Sequence, residues 1–343
     1  MKLNELLNIE KELNRDEIIF LLNLSDTSDK IKLFNSADAV RKVYCGDEIH
    51  LRGVIEFSNY CNENCLYCGL REDNFTIKRY RMSAEEIIST AQQISNLGIR
   101  TLVLQSGEDS YYNTDFIAHV IYSIKQSADV SITLSVGERG FDEYRTWKIA
   151  GADRYLLKHE TANAEWYSIY HLKEKLNIRL EHLKFLKSIG YQIGSGNMIG
   201  LPMQTIEDIA DDILLLKQLD VDMAAIGPFI PSPFTPYQKK PSGSVDMTLK
   251  ALAIGRIVLK NVHIPATTAI DSIDIEGREK SLKAGANVIM PNFTPHPYRE
   301  YYKIYPNKRG SKDDPLLAHK SLQSRIELIG RKISTGKGDS LKS

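Results

Sequence analysis

Four times in this chain a helical stretch stops on glycine and an apolar strand follows within a few residues: Leu97-Gly98, Ala150-Gly151, Ile189-Gly190 and Ala284-Gly285. Glycine supplies the left-handed residue that closes a helix. Its return ahead of successive strands is the punctuation of parallel strands joined by crossover helices. Candidate strands lie at 54–57, 101–105, 130–135, 154–157, 192–195, 223–226, 264–268 and 288–290. Eight such units over roughly 250 residues predict a (β/α)8 TIM barrel, an α/β fold. A doubly wound open sheet is the alternative, but it would carry a glycine-rich phosphate turn after its first strand. Here that turn carries cysteines.

Helix starts agree with this frame. Ser83 with Glu86 forms a capping box, Thr205 with Asp208 makes a similar start, and Asp246 or Thr248 is expected to cap the next helix. Ahead of the barrel, apolar residues recur at helical spacing through Leu3, Leu6, Leu7, Ile18, Leu21 and Leu22, then Leu33, Ala37 and Val40. Residues 1–48 are therefore read as a helical cap on one end of a barrel spanning 49–306. Residues 307–343 form a short C-terminal extension with one closing helix through Leu316, Leu322 and Ile326. Its last stretch, 334–343, is rich in Gly, Ser and Lys and is expected to fray.

The chemistry is concentrated in Ser58-Asn59-Tyr60-Cys61-Asn62-Glu63-Asn64-Cys65-Leu66-Tyr67-Cys68-Gly69. Three of the chain's 4 cysteines fall in this loop. Three thiolates can hold a [4Fe-4S] cube and leave one iron open to a small molecule, whereas structural zinc is closed by four ligands. A zinc loop and unpaired buried thiols are the alternatives. No histidine lies between His50 and His119 to complete a zinc site, and paired C-x2-C hooks are absent. A disulfide framework suits neither the length nor a start without a secretory signal. Cys45 reads as a small apolar filler.

Composition matters for what it excludes. Lys plus Arg and Asp plus Glu both number 44, and so even a balance gives no support to nucleic-acid or membrane-surface binding. No apolar run is long enough to span a bilayer. An oxygen-sensitive cluster needs reducing surroundings, and a cytoplasmic location is expected.

Loops after barrel strands gather at one face, and the predicted strand ends here are polar or aromatic: Asn59-Tyr60, Gln105-Ser106-Gly107-Glu108-Asp109, Ser135 with Glu138, Lys158-His159-Glu160-Thr161, Thr267-Thr268 and Asn292. The blocks Ile55 to Cys61, Leu66 to Arg71, Gln105 to Asp109, Arg154 to Asn163, Gly227 to Pro231 and Ile264 to Ala269 resemble the HydE family. These are radical S-adenosylmethionine (SAM) maturases of [FeFe]-hydrogenase, related to biotin synthase and methylornithine synthase. The likeness runs from about Gly53 to Tyr305.

What the resemblance implies is specific. Cys61, Cys65 and Cys68 would ligate the cube whose open iron chelates SAM. Tyr67 would pack on the adenine, and Ser106 and Glu108 belong to the family's variant of a Gly-Gly-Glu element near the SAM ammonium. Glu160 and Arg179 would act as a SAM-binding pair, the guanidinium forking onto the carboxylate; read alone, Arg179 is a solvated helix charge. Met223 and Tyr302 would line the SAM pocket. Ser135, Lys158, Thr267 and Thr268 would face the cavity of the substrate.

Reductive cleavage of SAM would give methionine and a 5′-deoxyadenosyl radical inside a closed barrel that excludes water. The implied target is an organometallic iron-cysteine species, with a ferredoxin or flavodoxin as reductant and other maturases as partners. Many members carry three further cysteines near the C-terminus; this chain has none after Cys68, so no auxiliary cluster is expected. A methylornithine-synthase-like mutase or lyase on an organic substrate, and a non-catalytic iron-sulfur scaffold, are the competing readings.

Overall fold

The computed structural model describes residues 3–311 and 314–342. Its strands are β1 (Glu48–Leu51), β2 (Gly53–Ser58), β3 (Thr101–Ser106), β4 (Ser131–Ser135), β5 (Arg154–Leu156), β6 (Gln192–Ile199), β7 (Met223–Pro228), β8 (Val288–Ile289) and β9 (Lys332–Ile333). β2 to β7 form one parallel sheet in chain order. β1 and β2 are a single strand broken at Arg52, and β1 pairs with β8. Between β7 and β8 the chain at 263–266 bridges both neighbours: Ala224 N–H donates to His263 O at 2.9 Å and Ala266 N–H to Val288 O at 2.9 Å. Val54 N–H reaches Pro291 O at 2.9 Å, and the ring closes as a (β/α)8 barrel.

The seventh strand, expected at 264–268, is present only as bridges. Pro265 has no N–H to give a ladder, and Thr267 is already the N-cap of helix Thr268–Ile273. The helical starts follow side-chain chemistry. Ser83 and Glu86 close a reciprocal box on Ala84–Asn96, and Thr205 with Asp208 does so on Ile206–Gln218. The next helix, Val245–Leu259, is capped by Ser244 and not by Asp246 or Thr248; a serine one residue ahead of the apolar run starts the helix earlier. Gly98, Gly151, Gly190 and Gly285 all hold positive φ, between 81° and 113°.

Helices Arg15–Leu22 and Thr27–Cys45 lie along the barrel's flank, on Val245–Leu259, instead of capping an end. Lys250 reaches across to Leu22 O at 2.6 Å. The apolar face of Leu33, Ala37 and Val40 is buried there because Val245–Leu259, which is buried nearly all round, needs a second layer on its outer side. Cys45 accepts from Arg256 Nη1 at 3.1 Å at the end of that helix.

The extension folds as helix Pro315–Leu328 and then β9, which pairs with β1. The tail expected to fray crosses the N-terminal end of the barrel and is bonded throughout. Arg154 donates to Lys337 O at 2.9 Å and Asp339 at 2.6 Å, Thr101 Oγ1 to Lys337 O at 2.6 Å, and His263 Nε2 donates to Asp339 O at 2.9 Å. Backbone polarity explains the difference: a Gly/Ser/Lys segment has few apolar groups, yet its carbonyls satisfy buried guanidinium and imidazole donors. Ser343 lies outside the described residues.

Candidate active site

The cysteine loop leaves β2 at Ser58 and is tied down on every side. Arg79 donates to the carbonyls of Asn59, Leu70 and Arg71. Gly69 N–H donates to Ile304 O at 2.9 Å, Leu66 N–H to Tyr170 O at 3.0 Å and Asn62 N–H to Glu108 O at 3.0 Å. Asp109 accepts both arms of Arg81 at 2.8 Å and Ser58 Oγ at 2.6 Å. Gly107 is required: a Cβ there would lie 2.2 Å from Tyr60 O and 2.8 Å from Cys61 Cβ.

The three thiols converge. Burial pushes the Cys61 thiol up to about 12, Cys68 adding to it, and Cys65 is raised by burial and then by Cys68 and Cys61. The Glu63 and Glu108 N–H groups point at Cys61 sulfur, and Leu70 N–H donates to Cys68 Sγ at 3.4 Å. Buried thiols crowded together resist ionisation until a cation neutralises them, while the N–H donors suit thiolate sulfur. That combination fits a metal cluster. Cys65, His171 and Glu174 also offer donors within 4.8 Å of one another. His171 bonds Tyr67 Oη at 2.7 Å and Tyr167 O at 3.2 Å, and Glu174 holds Arg179 at 2.5 Å through Oε2 while its Oε1 is buried without a hydrogen-bond partner.

Around the thiols the expected residues divide into groups. Tyr67 and Glu160 both act on the Cys68 neighbourhood electrostatically, and Glu160, at φ 63°, pairs with Lys158 at 2.8 Å. Tyr302 is buried beside Cys68 and Cys61 with its hydroxyl on Gln105. Ser106 donates to Gly107 O at 2.7 Å, and Ser135 is the half-buried last residue of β4. Thr267 and Thr268 line a cavity of about 360 Å³ together with Glu56, Gln105, Asn292 and Lys308. Thr267 Oγ1 is buried there without a hydrogen-bond partner.

Glu160 and Arg179, expected to meet SAM at different points, each hold a protein counterion: Lys158 lies on Glu160 at 2.8 Å, and Arg179 meets Glu138 at 2.8 Å and Glu174 at 2.5 Å. Two expectations are corrected. Arg179 is buried and not a solvated helix charge. Met223 is the first residue of β7, so it belongs to the opposite end of the barrel, where Arg52 Nη1 lies 2.8 Å from its sulfur. Strand polarity decides this, since only the C-terminal ends of parallel strands face the cysteine loop.

The sequence reading passed over Glu63, His171, Glu174, Glu56 and Lys308. Glu56 had a signal, a charge inside the apolar run Val54-Ile55-Glu56-Phe57 of a strand buried on both faces; it bonds Asn292 at 2.7 Å and Lys308. Glu174 hid in a stretch that reads as a solvated helix, although the helix begins only at Leu176.

Glu63, Glu108, Glu138 and Glu174 surround the single guanidinium of Arg179. Burial, then Glu174, lifts the Glu108 carboxyl to about 8, and burial lifts Glu138 to about 7. Acid in excess of base, beside three thiols, suits a ligand carrying more positive than negative charge with one carboxylate for the arginine.

Comparison with known proteins agrees with this chemistry. Residues 55–216 match the Radical SAM superfamily. The chain is 30% identical over 280 residues to 3-methylornithine synthase of Methanosarcina acetivorans, covering 81% of this chain and 79% of that protein. A crystal structure of methylornithine synthase superposes with a TM-score of 0.87 at 25% identity, covering 97% of each chain. The [FeFe] hydrogenase maturase subunit HydE of Thermotoga maritima is 48% identical over 322 residues, 94% of this chain and 92% of that subunit. With close to half of its residues shared along nearly the whole of that subunit, the chain belongs to the HydE family of radical SAM enzymes.

Proposed function

We propose that this chain cleaves SAM reductively and turns the resulting radical on a small iron-bearing substrate during assembly of the [FeFe]-hydrogenase diiron subcluster. The observation that carries the reading is likeness to a hydrogenase maturase extending through flank, barrel and extension alike. When bound, a [4Fe-4S] cube with an open iron and SAM supply one-electron cleavage to methionine and a 5′-deoxyadenosyl radical.

In this reading Cys61, Cys65 and Cys68 ligate the only cluster, since no cysteine follows them in the sequence. Arg179 would take the SAM carboxylate in exchange for one of its two glutamates, and Glu108, Glu138 and Glu174 would offer acid toward its positive charge. Glu160, held by Lys158, would bind the ribose, and Tyr67, its hydroxyl fixed by His171, would hold the adenine. Ser106 and Ser135 hold polar contacts at the ends of β3 and β4, and Tyr302 closes the pocket over Gln105. Thr267, Thr268, Glu56 and Asn292 then offer hydrogen bonds to an organometallic iron-cysteine substrate in the barrel interior. Residues 49–306 carry the chemistry, while 1–48 and 307–343 serve as flank and closure.

Among the described residues no helix is long and apolar enough to cross a membrane. A cytoplasmic setting with a ferredoxin or flavodoxin as reductant, and contact with other maturases, completes the proposal. The test is anaerobic reconstitution, iron analysis, and incubation with SAM and dithionite. About four irons per chain and release of 5′-deoxyadenosine are expected; about eight irons would overturn the single-cluster assignment. Deletion in a host with [FeFe]-hydrogenase should abolish its activity, and unchanged hydrogenase would favour an organic substrate of the methylornithine kind.

A further inference from the structure

The reaction needs an electron from outside, and the face above the cysteine loop differs from the rest of the surface. The segment just after Cys68 covers the thiols: Asn74 donates to Gly69 O at 2.8 Å, and Arg79 binds its carbonyls from beneath. On its outer side Phe75 stands 88% exposed. Its neighbours Asn74 and Thr76 line a depression of about 540 Å³ whose lining also includes Phe234, 62% exposed and held at φ 61°. A bulky aromatic ring in the left-handed region, presented to solvent, is strain that packing does not account for. Tyr302, which lies beside Cys68 and Cys61, lines the same depression.

The charges around this aromatic rim are unbalanced, although the chain as a whole is neutral. Glu72 is held by Lys173 at 2.7 Å and Asp73 by Arg71 at 3.4 Å. Lys303 lines the depression, Lys78 follows Ile77 of its wall, and Lys239 and Lys240 follow Phe234 in the same loop. All four are exposed without an ion-pair partner among the described residues, whereas Glu300, the carboxylate in the lining, meets His296 at 3.3 Å. Lys78 lies over the Tyr301 ring at 4.7 Å. An apolar centre rimmed by unpaired cations complements an acidic protein with an apolar tip.

We propose that this face is the docking site of an acidic one-electron carrier protein, which seats on Phe75 and Phe234 and delivers through the Tyr302 wall. The inference rests on the radical SAM reading and adds the surface and the charge of its electron donor. Each turnover passes one electron from the reduced carrier to the oxidised cluster; the carrier leaves one electron oxidised, and no proton or atom crosses the contact.

The test uses the reconstituted full chain and an acidic flavodoxin as probe. Its Kd is measured anaerobically by calorimetry at low and high salt, and 5′-deoxyadenosine release is followed with reduced flavodoxin and, separately, with dithionite. Lys240→Glu with Lys303→Glu should weaken binding about tenfold or more at low salt and flatten the salt dependence. Phe75→Ser should weaken it at both salts. Flavodoxin-driven release should fall with both, while dithionite-driven release stays at the level of the unaltered chain. Unchanged affinity in both variants, or self-association through this face in place of carrier binding, would overturn the docking site. Failure of the unaltered chain to release 5′-deoxyadenosine with dithionite would instead overturn the enzymatic reading beneath it.

Discussion

Gly107 shows how closely single residues set this site, because its missing side chain is what lets β3 press against the cysteine loop. Gly107→Ala must displace the Tyr60 backbone and the Cys61 Cβ. Iron per reconstituted chain is expected to fall below half, with the far-ultraviolet circular dichroism unchanged; full loading would show that the loop can yield. Asp212 behaves differently. Its buried carboxyl, accepting Ala162 N–H at 2.5 Å and Asn197 at 2.9 Å, is raised by burial from 3.8 to about 7. The folded chain therefore keeps a proton that the unfolded chain releases, and between pH 4 and 7 this group makes stability fall as pH rises, by at most about 1.4 kcal/mol per pH unit. Asp212→Asn should remove that slope in urea unfolding at pH 5 and 7. The cysteines were legible at this scale because ligation fixes their spacing. Glu63 and Glu174 were not, since a carboxylate reads as solvated until neighbours distant in sequence bury it.

Elements were legible wherever local chemistry is self-sufficient. The Ser83 and Glu86 box needs only its own turn: Glu86 N–H donates to Ser83 Oγ at 3.3 Å and Ser83 N–H to Glu86 at 2.8 Å. Ser83→Ala is accordingly expected to cost about 1 kcal/mol in chemical unfolding, without altering iron content. Strands fared worse at the barrel's closing seam. A short apolar run such as Ile264-Pro265-Ala266 has the composition of a strand, yet proline cannot sustain a ladder and the neighbouring threonine starts a helix. The N-terminal helices were read correctly as helices and wrongly as an end cap, because periodicity gives a helix its apolar face but not the partner that covers it.

The whole molecule has two ends with opposite duties, and the tail unites them with the chain's terminus. At the cysteine end, loops keep acid in excess of base around a place for a ligand. At the other end Arg52 and Arg154 are buried, Arg154 against Thr101, and few carboxylates from the strands offset them. Asp339 and the carbonyls of Lys337 and Gly338 supply what is missing. Ser340 Oγ donates to Asp222 at 2.5 Å and Lys342 to Asp220 at 2.5 Å, which fastens the same segment. A composition poor in apolar residues hid this role, since the tail contributes acceptors and not surface. Removing residues 334–343 leaves a buried guanidinium without its carboxylate; because Asp339 is itself half exposed, about 3–5 kcal/mol is the upper bound of the change. In a chain of this size that corresponds to a Tm lower by roughly 4–7 °C at most. Asp339→Ala alone should give a smaller shift in the same direction, because the carbonyls of Lys337 and Gly338 remain. Thermal melts followed by circular dichroism measure both. Iron loading at the far end of the barrel should survive at low temperature, because no cysteine ligand touches the tail, and a truncated chain melting with the intact one would mean that the barrel closes without this segment.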